Sequence, residues 1–313
     1  MTSKTYILCP GQGAQIVGMG KDFVEAFAVA RDVFERANAI LGFDLADICF
    51  NGPEQRLNQT DIAQPAIYVT SVACFAAAQQ AGVIQPQQVG AYAGLSLGEY
   101  TALHLGGAFS FEDGLRLVAA RGRYMQQAAF ATPSTMVSLM GADEPAAIRL
   151  CEANAQGEVL VPANFNSPGQ IVVSGAIGAC QRLSQAAEAA GFKAIPLKVA
   201  GAFHSPLMQP AAQRMAEELE KLALAVPRTT VYANVTARPH TDADSIKRLL
   251  VEQIVKPVRW EQTMQELISQ GEAQWIELAP GRVLSGLLKK INRRIPIQAL
   301  WTADAVQQYK PAG

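Results

Sequence analysis

Val89-Gly90-Ala91-Tyr92-Ala93-Gly94-Leu95-Ser96-Leu97-Gly98-Glu99-Tyr100-Thr101-Ala102-Leu103 changes character twice within a short span. A short apolar run (Val89–Ala93) ends in glycine, a serine follows between two glycines, and a helix-like stretch begins at once. This is the G-x-S-x-G nucleophile elbow: a sharp strand-to-helix turn that exposes one hydroxyl above a sheet, with a helix N-terminus aimed at it. The glycines permit the strained backbone and the close packing of strand on helix. The pentapeptide alone is weak, because a chain with 25 glycines produces it by accident. Its competitor is a structural βα turn with an incidental serine. The strand before and the helix after favour the elbow.

Outward from the elbow, residues up to about Ala131 alternate short apolar strands with amphipathic stretches, as in a βα sheet. Tyr6–Cys9 reads as the first strand, running into Gly11-Gln12-Gly13-Ala14-Gln15, with helices around Phe23–Leu41 and Ala66–Ala81. The grammar then changes. Thr135–Met140 reads as a strand, Glu144–Ala153 as a helix, Val159–Ala163 and Gln170–Ser174 as strands, Ala179–Ala190 as a helix and Lys193–Val199 as a strand. That β-α-β-β-α-β order is the ferredoxin-like split βαβ pattern. Afterwards the first grammar returns, with helices at 209–224 and 243–254 and strands at Thr230–Asn234 and Gln274–Leu278. The expected fold class is therefore α/β: a large α/β-hydrolase-like unit with a mostly parallel sheet (1–131 and 200–313) and an inserted small ferredoxin-like α+β unit (132–199). A cleft between them is the natural place for a site.

Composition narrows the function classes. The chain has 313 residues, half of them hydrophobic, enough for a large core, and its net charge of −1 offers no basic field for nucleic acid or anionic membrane. No apolar run reaches the length of a membrane span, and Met1–Pro10 is broken too soon to be a signal peptide. Five cysteines without C-x-x-C spacing read as buried small hydrophobes in a reducing cytoplasm, not as a disulfide framework or a zinc site.

A nucleophilic serine needs a base, and the chain has three histidines. His104 lies more than two turns along the elbow helix and points elsewhere. His240, in Arg238-Pro239-His240-Thr241-Asp242, is flanked by turn residues and reads as solvated. His204, in Gly201-Ala202-Phe203-His204-Ser205-Pro206, falls where the small unit hands back to the large one. A hydrolase triad would add an acid between serine and histidine. Asp113, Asp143, Glu152, Glu158 and Glu188 all sit on helices or turns and look like surface, so a Ser–His dyad fits better, its imidazole held by a backbone carbonyl. On the helix from about Glu112 to Ala128, Arg121 projects among Gly114, Leu117, Val118, Met125 and Ala128, opposite Asp113, Arg116, Arg123 and Gln127. A guanidinium on an apolar face is costly unless an anion meets it. A buried structural ion pair would satisfy it; so would a substrate carboxylate held by its planar fork.

These features together resemble the malonyl-CoA:acyl carrier protein transacylase family, which includes free-standing acyltransferases of polyketide assembly. The resemblance rests on Pro10–Gln15 with Gly18-Met19-Gly20, Thr60–Pro65, Gly94–Tyr100, Arg121-Gly122, Asn164–Gly175, Phe203-His204-Ser205, Asn234-Val235-Thr236 and Gln253–Trp260, in order and nearly end to end. It implies Ser96 as the acylated nucleophile, His204 as the base, and the main-chain carbonyl of Gln253 as the group that orients the imidazole. It implies backbone N–H groups of Gln12 and Leu97 as an oxyanion hole. Arg121 would bind the malonyl carboxylate, with Gln64 and Asn166 lining the pocket and Phe203 as an aromatic wall favouring malonyl over methylmalonyl. Malonyl-CoA would be substrate and acyl carrier protein the partner, with no metal or redox cofactor. Leu95 stands where the family often has histidine, which removes a polar neighbour of the serine.

Other readings share parts of this pattern. An acyl hydrolase of the same fold, acting on carrier-bound chains, would use Ser96 and His204 but tends to lack the carboxylate-binding arginine. A generic esterase would want a triad acid, and a non-catalytic scaffold would have no need of Ser96, His204 and Arg121 together. Lys256, Arg259, Arg282, Lys289 and Lys290 are candidates for steering an acidic carrier protein, or ordinary solvated charges.

Overall fold

The strand before the serine lies at the middle of a six-stranded sheet in the computed structural model, which describes residues 4–310. Met1–Ser3 and Pro311–Gly313, the outermost ends of the large unit and the start of the amino-terminal stretch, lie outside the described residues. The sheet comprises β1 (Lys4–Cys9), β2 (Val89–Gly94), β7 (Thr230–Ala233), β8 (Arg238–Pro239), β9 (Ala273–Leu278) and β10 (Ile297–Leu300) in the order β10-β9-β1-β2-β7-β8. All neighbours are parallel except β7 and β8. Tyr6-Ile7-Leu8-Cys9 is continuously apolar because β1 is covered on both faces. Ile7 and Cys9 pack with Ile67 and Cys74 of the helix Thr60–Gln80, whereas Tyr6 and Leu8 pack with Trp260, Met264 and Leu288 on the other side.

The helix Thr60–Gln80 starts at Thr60 and not at Ala66 as the sequence suggests, with Pro65 accommodated inside it. It is also long and apolar enough to cross a membrane, yet 89% of its most apolar window is buried inside the protein, as befits a core helix. The expected helix over Phe23–Leu41 is two helices, Lys21–Ala26 and Ala28–Leu41, divided at Phe27, whose backbone is extended.

The second sheet is antiparallel, built from β3 (Ser134–Met140), β4 (Leu160–Ser167), β5 (Gln170–Ala176) and β6 (Lys193–Pro196) in the order β4-β5-β3-β6. That is the split βαβ order. Strand alternation divides its two faces. Val137, Leu139, Ile171 and Val173 pack against helices Glu144–Ala155 and Ile177–Ala189, through Ala147, Cys151, Ala179 and Leu183. Met136, Ala163 and Val172 face the opposite way and join the core that packs on the six-stranded sheet. All five cysteines are buried and free.

Candidate active site

Ser96 is the residue at which β2 turns into the helix Leu97–Leu105, and it adopts φ 52° and ψ −106°, left-handed backbone that a serine enters only when held there. Asn234, just after β7, holds it: the Ser96 N–H donates to Asn234 Oδ1 (2.6 Å) and Asn234 Nδ2 donates to the Gly94 carbonyl (2.7 Å). The two flanking glycines are required by contact distance. A Cβ on Gly94 would lie 1.9 Å from the Gly98 carbonyl, and one on Gly98 would lie 2.1 Å from the Cys9 carbonyl oxygen. Strand, turn and helix therefore meet backbone to backbone.

His204 reaches the serine from the junction between the two sheets. Its Nε2 lies 2.8 Å from Ser96 Oγ, and its Nδ1 lies 2.6 Å from the main-chain oxygen of Gln253. A carbonyl only accepts, so Nδ1 carries the proton and Nε2 presents its lone pair to the hydroxyl. The Gln253 carbonyl is available for a reason written in the sequence. It sits in the last turn of the helix Ala243–Val255, and the residue four positions on is Pro257, which has no N–H to claim it. Burial, aided by the nearby Arg121 cation and opposed by the Gln253 carbonyl, pushes the His204 pKa down to about 4. The imidazole is thus neutral at pH 7, the form a general base requires.

Arg121 projects from the helix Phe111–Ala131 into the same site and is 1% exposed. Its Nη1 donates to Gln64 Oε1 (2.8 Å); its Nη2 donates to Ser96 Oγ (3.0 Å) and to Gln253 Oε1 (2.9 Å). Its Nε has no partner, and among the described residues no carboxylate pairs with it. Burial lowers its pKa, against the opposing pull of Tyr100 and Glu99. A buried cation whose acceptors are two amides and a serine, and no carboxylate, is suited to pair with an anionic substrate group.

A cavity of about 360 Å³ opens over these groups, between the large sheet and the inner face of the small one. Gln12, Ser96, Arg121, Asn166, Phe203 and His204 line it. Leu97 opens its helix, so its N–H is one of those with no intrahelical acceptor. Asn166 Oδ1 is buried without a partner. Gln64 does not line the cavity as expected: it is fully buried behind Arg121, where its amide is occupied by the guanidinium and by Met125 Sδ (3.5 Å). Among the described residues no group of three His, Cys, Asp or Glu side chains is gathered as a metal site would need.

His240 is a correction. Its side chain is fully buried, not solvated, and Nε2 lies 2.8 Å from Glu99 Oε1. The turn residues around it do lie outside, but His240 N donates to Val231 O (2.8 Å), which aligns the chain beside β7 and turns the ring inward. Sequence reasoning also passed over Glu99, Asn234 and the side chain of Gln253. His104 bonds Phe109 O (3.1 Å) and packs against Tyr68, away from the serine. Of the basic candidates, Lys256 pairs with Glu252 (2.9 Å) and Arg259 with Glu144 (3.4 Å). Arg282 stacks on Trp301, and Lys290 donates to Gln170 (2.8 Å), both on or beside the helix Val283–Ile291 at the cavity rim.

The chain is similar to known proteins over nearly its whole length. The family model described as acyl transferase domain matches residues 5–310. The malonyl CoA-acyl carrier protein transacylase of Escherichia coli (strain K12) is 39% identical over 301 residues, covering 96% of each chain. A malonyl CoA-acyl carrier protein transacylase structure from Coxiella burnetii superposes with a TM-score of 0.93 at 36% identity, covering 98% of this chain and 96% of that one. A malonyl-transacylase solved in complex with a type II PKS acyl-carrier protein gives a TM-score of 0.92 at 38% identity, covering 97% and 98%.

Proposed function

The chain belongs to the acyl transferase domain family, and from that premise we propose that its site moves a malonyl group from malonyl-CoA to the phosphopantetheine thiol of acyl carrier protein by way of a malonyl ester on Ser96. The observation that carries this reading is Arg121: a buried guanidinium with an unpaired N–H, touching the hydroxyl that would carry the acyl group. A carboxylate one methylene beyond the thioester carbonyl is the anion that would pair with it.

In the first half-reaction His204 Nε2 takes the proton of Ser96 Oγ as the oxygen attacks the thioester carbonyl. The N–H groups of Gln12 and Leu97 receive the developing oxyanion, a donor of this kind being worth about 2.7–4 kcal/mol of barrier. The C–S bond breaks, and CoA leaves with the proton from His204. In the second half-reaction the carrier thiol gives its proton to His204, attacks the ester carbonyl, and Ser96 leaves as the hydroxyl with that proton returned. This is ping-pong acyl transfer. Acetyl-CoA would leave the guanidinium unpaired, which is the basis of selectivity. Phe203 and Asn166 bound the acyl end, and the free buried cysteines suit a reducing cytoplasm.

The test is the intact mass of the protein after malonyl-CoA without carrier. A malonyl adduct that persists, is absent in Ser96→Ala and moves to added carrier protein is the expected result. Continuous release of CoA with no adduct would instead establish a hydrolase.

A further inference from the structure

Glu99 is a fully buried carboxyl group that the acyl-transfer steps do not use, three residues beyond the nucleophile. One of its oxygens accepts from Gln253 Nε2 (2.7 Å) and from the backbone N–H of Asn234 (3.0 Å). The other faces His240 Nε2 (2.8 Å), itself buried. These contacts have a consequence for the amide of Gln253. A carboxylate accepts and cannot donate, so the NH2 end of Gln253 must face Glu99, where it also reaches the Ser96 carbonyl (2.9 Å). The amide oxygen is thereby turned toward Arg121 Nη2 (2.9 Å), and the same nitrogen bridges to Ser96 Oγ. A flipped amide would set two donors against each other at Arg121. The main chain of that same residue holds His204.

We propose that Glu99, anchored by His240, is a positioning residue that sets the orientation of the Gln253 amide and through it the place of the Arg121 guanidinium at the acyl pocket. Glu99 touches neither substrate nor reacting atom; it acts through Gln253. His240 fixes the carboxylate on its far side, and Asn234 ties the same carboxylate to the serine turn.

The inference rests on the malonyl-transfer reading, and the test separates the two. Rates of adduct formation with malonyl-CoA and with acetyl-CoA are measured by rapid quench and intact mass for the whole chain and for Glu99→Ala and Glu99→Gln. The wild-type protein must first form the malonyl adduct; if it does not, the functional reading fails and not this one alone. Glu99→Ala frees the Gln253 amide to turn, and malonyl loading is expected to fall by about 10- to 100-fold, more than acetyl loading, so that the malonyl/acetyl ratio drops. Glu99→Gln is expected to hold the ratio within about threefold of wild type. Its amide oxygen can accept from Gln253 and Asn234, and its NH2 can donate to His240 Nε2 once that ring carries its proton on Nδ1; the buried Nδ1–H then lacks an acceptor, a cost that falls on stability and not on the malonyl/acetyl ratio. Should the alanine variant not fold, Glu99→Asp keeps the charge but draws it back by about one bond length, roughly 1.5 Å, and should lower the ratio where Glu99→Gln does not. An equal fall for both acyl groups, or a glutamine variant as damaged as alanine, overturns the proposal.

Discussion

Replacing Arg121 by alanine should change two observables at once, because the guanidinium lines the acyl pocket and its charge acts on His204. The first is selectivity. In the proposed wild-type complex a malonyl carboxylate would gain at least one charge-assisted hydrogen bond from Arg121, worth about 1.5–3 kcal/mol, which converts to about 10- to 150-fold in kcat/KM. Acetyl gains nothing from the cation and leaves it buried and unpaired, so acetyl loading should hold or rise in the variant while malonyl loading falls. The second is the pH profile. Burial is the first cause of the low His204 pKa and the Arg121 cation the second, together bringing it from 6.5 to about 4. Removing the cation leaves the burial, so the pKa should rise above about 4 and stay below 6.5. The assay is kcat/KM for acetyl-CoA against pH, which reports the base of the free enzyme and avoids the substrate's own carboxylate. The acid limb should move upward in Arg121→Ala. An unchanged malonyl/acetyl ratio would refute the carboxylate assignment, and an acid limb fixed near its wild-type position would refute the electrostatic coupling of Arg121 to His204.

A histidine whose folded pKa is about 4 against 6.5 binds its proton in the unfolded chain first, so between those values stability should rise with pH. The amount is about 3 kcal/mol, read as a steeper loss of urea midpoint on acidification than in His204→Gln. Gly98→Ala places a Cβ 2.1 Å from the Cys9 carbonyl oxygen, and melting should show about 1–3 kcal/mol of destabilisation together with slower acylation, whereas a neutral result would mean the elbow is looser than its contacts. Burial pushes the thiols of Cys49 and Cys74 up to about 12, so an aromatic disulfide reagent at pH 8 should label neither until denaturant is added.

What could be read from the chain beforehand, and what could not, follows from how each residue announces itself. The parallel strands are legible because β1 and β2 are covered on both faces and so are continuously apolar, and the small sheet is legible because its elements follow one another closely. Short edge elements such as β8 and β10 carry too few residues for either period to show. Ser96 and Arg121 are visible because each breaks a local pattern: a hydroxyl between two glycines, a cation on an apolar helix face. His204 follows by elimination among three histidines, an argument that misplaces His240 because turn residues speak for the backbone and not for the direction of a ring.

Glu99 broke a pattern too. It stands among Leu97, Tyr100, Ala102 and Leu103 in a helix buried on every side through Leu103, so no face of that helix could have kept a carboxylate in water. The partners that make its burial tolerable lie 135, 141 and 154 positions away, at Asn234, His240 and Gln253, and no local window contains them. Pro257 is the opposite case: its missing donor is a purely local fact, and it leaves the Gln253 carbonyl without an i+4 partner, free to hold His204. Active-site polarity in this fold is therefore half inscribed in short-range chemistry and half in contacts that only the closed sheet creates. The second half is where a substitution far along the chain should alter selectivity without touching the acyl group.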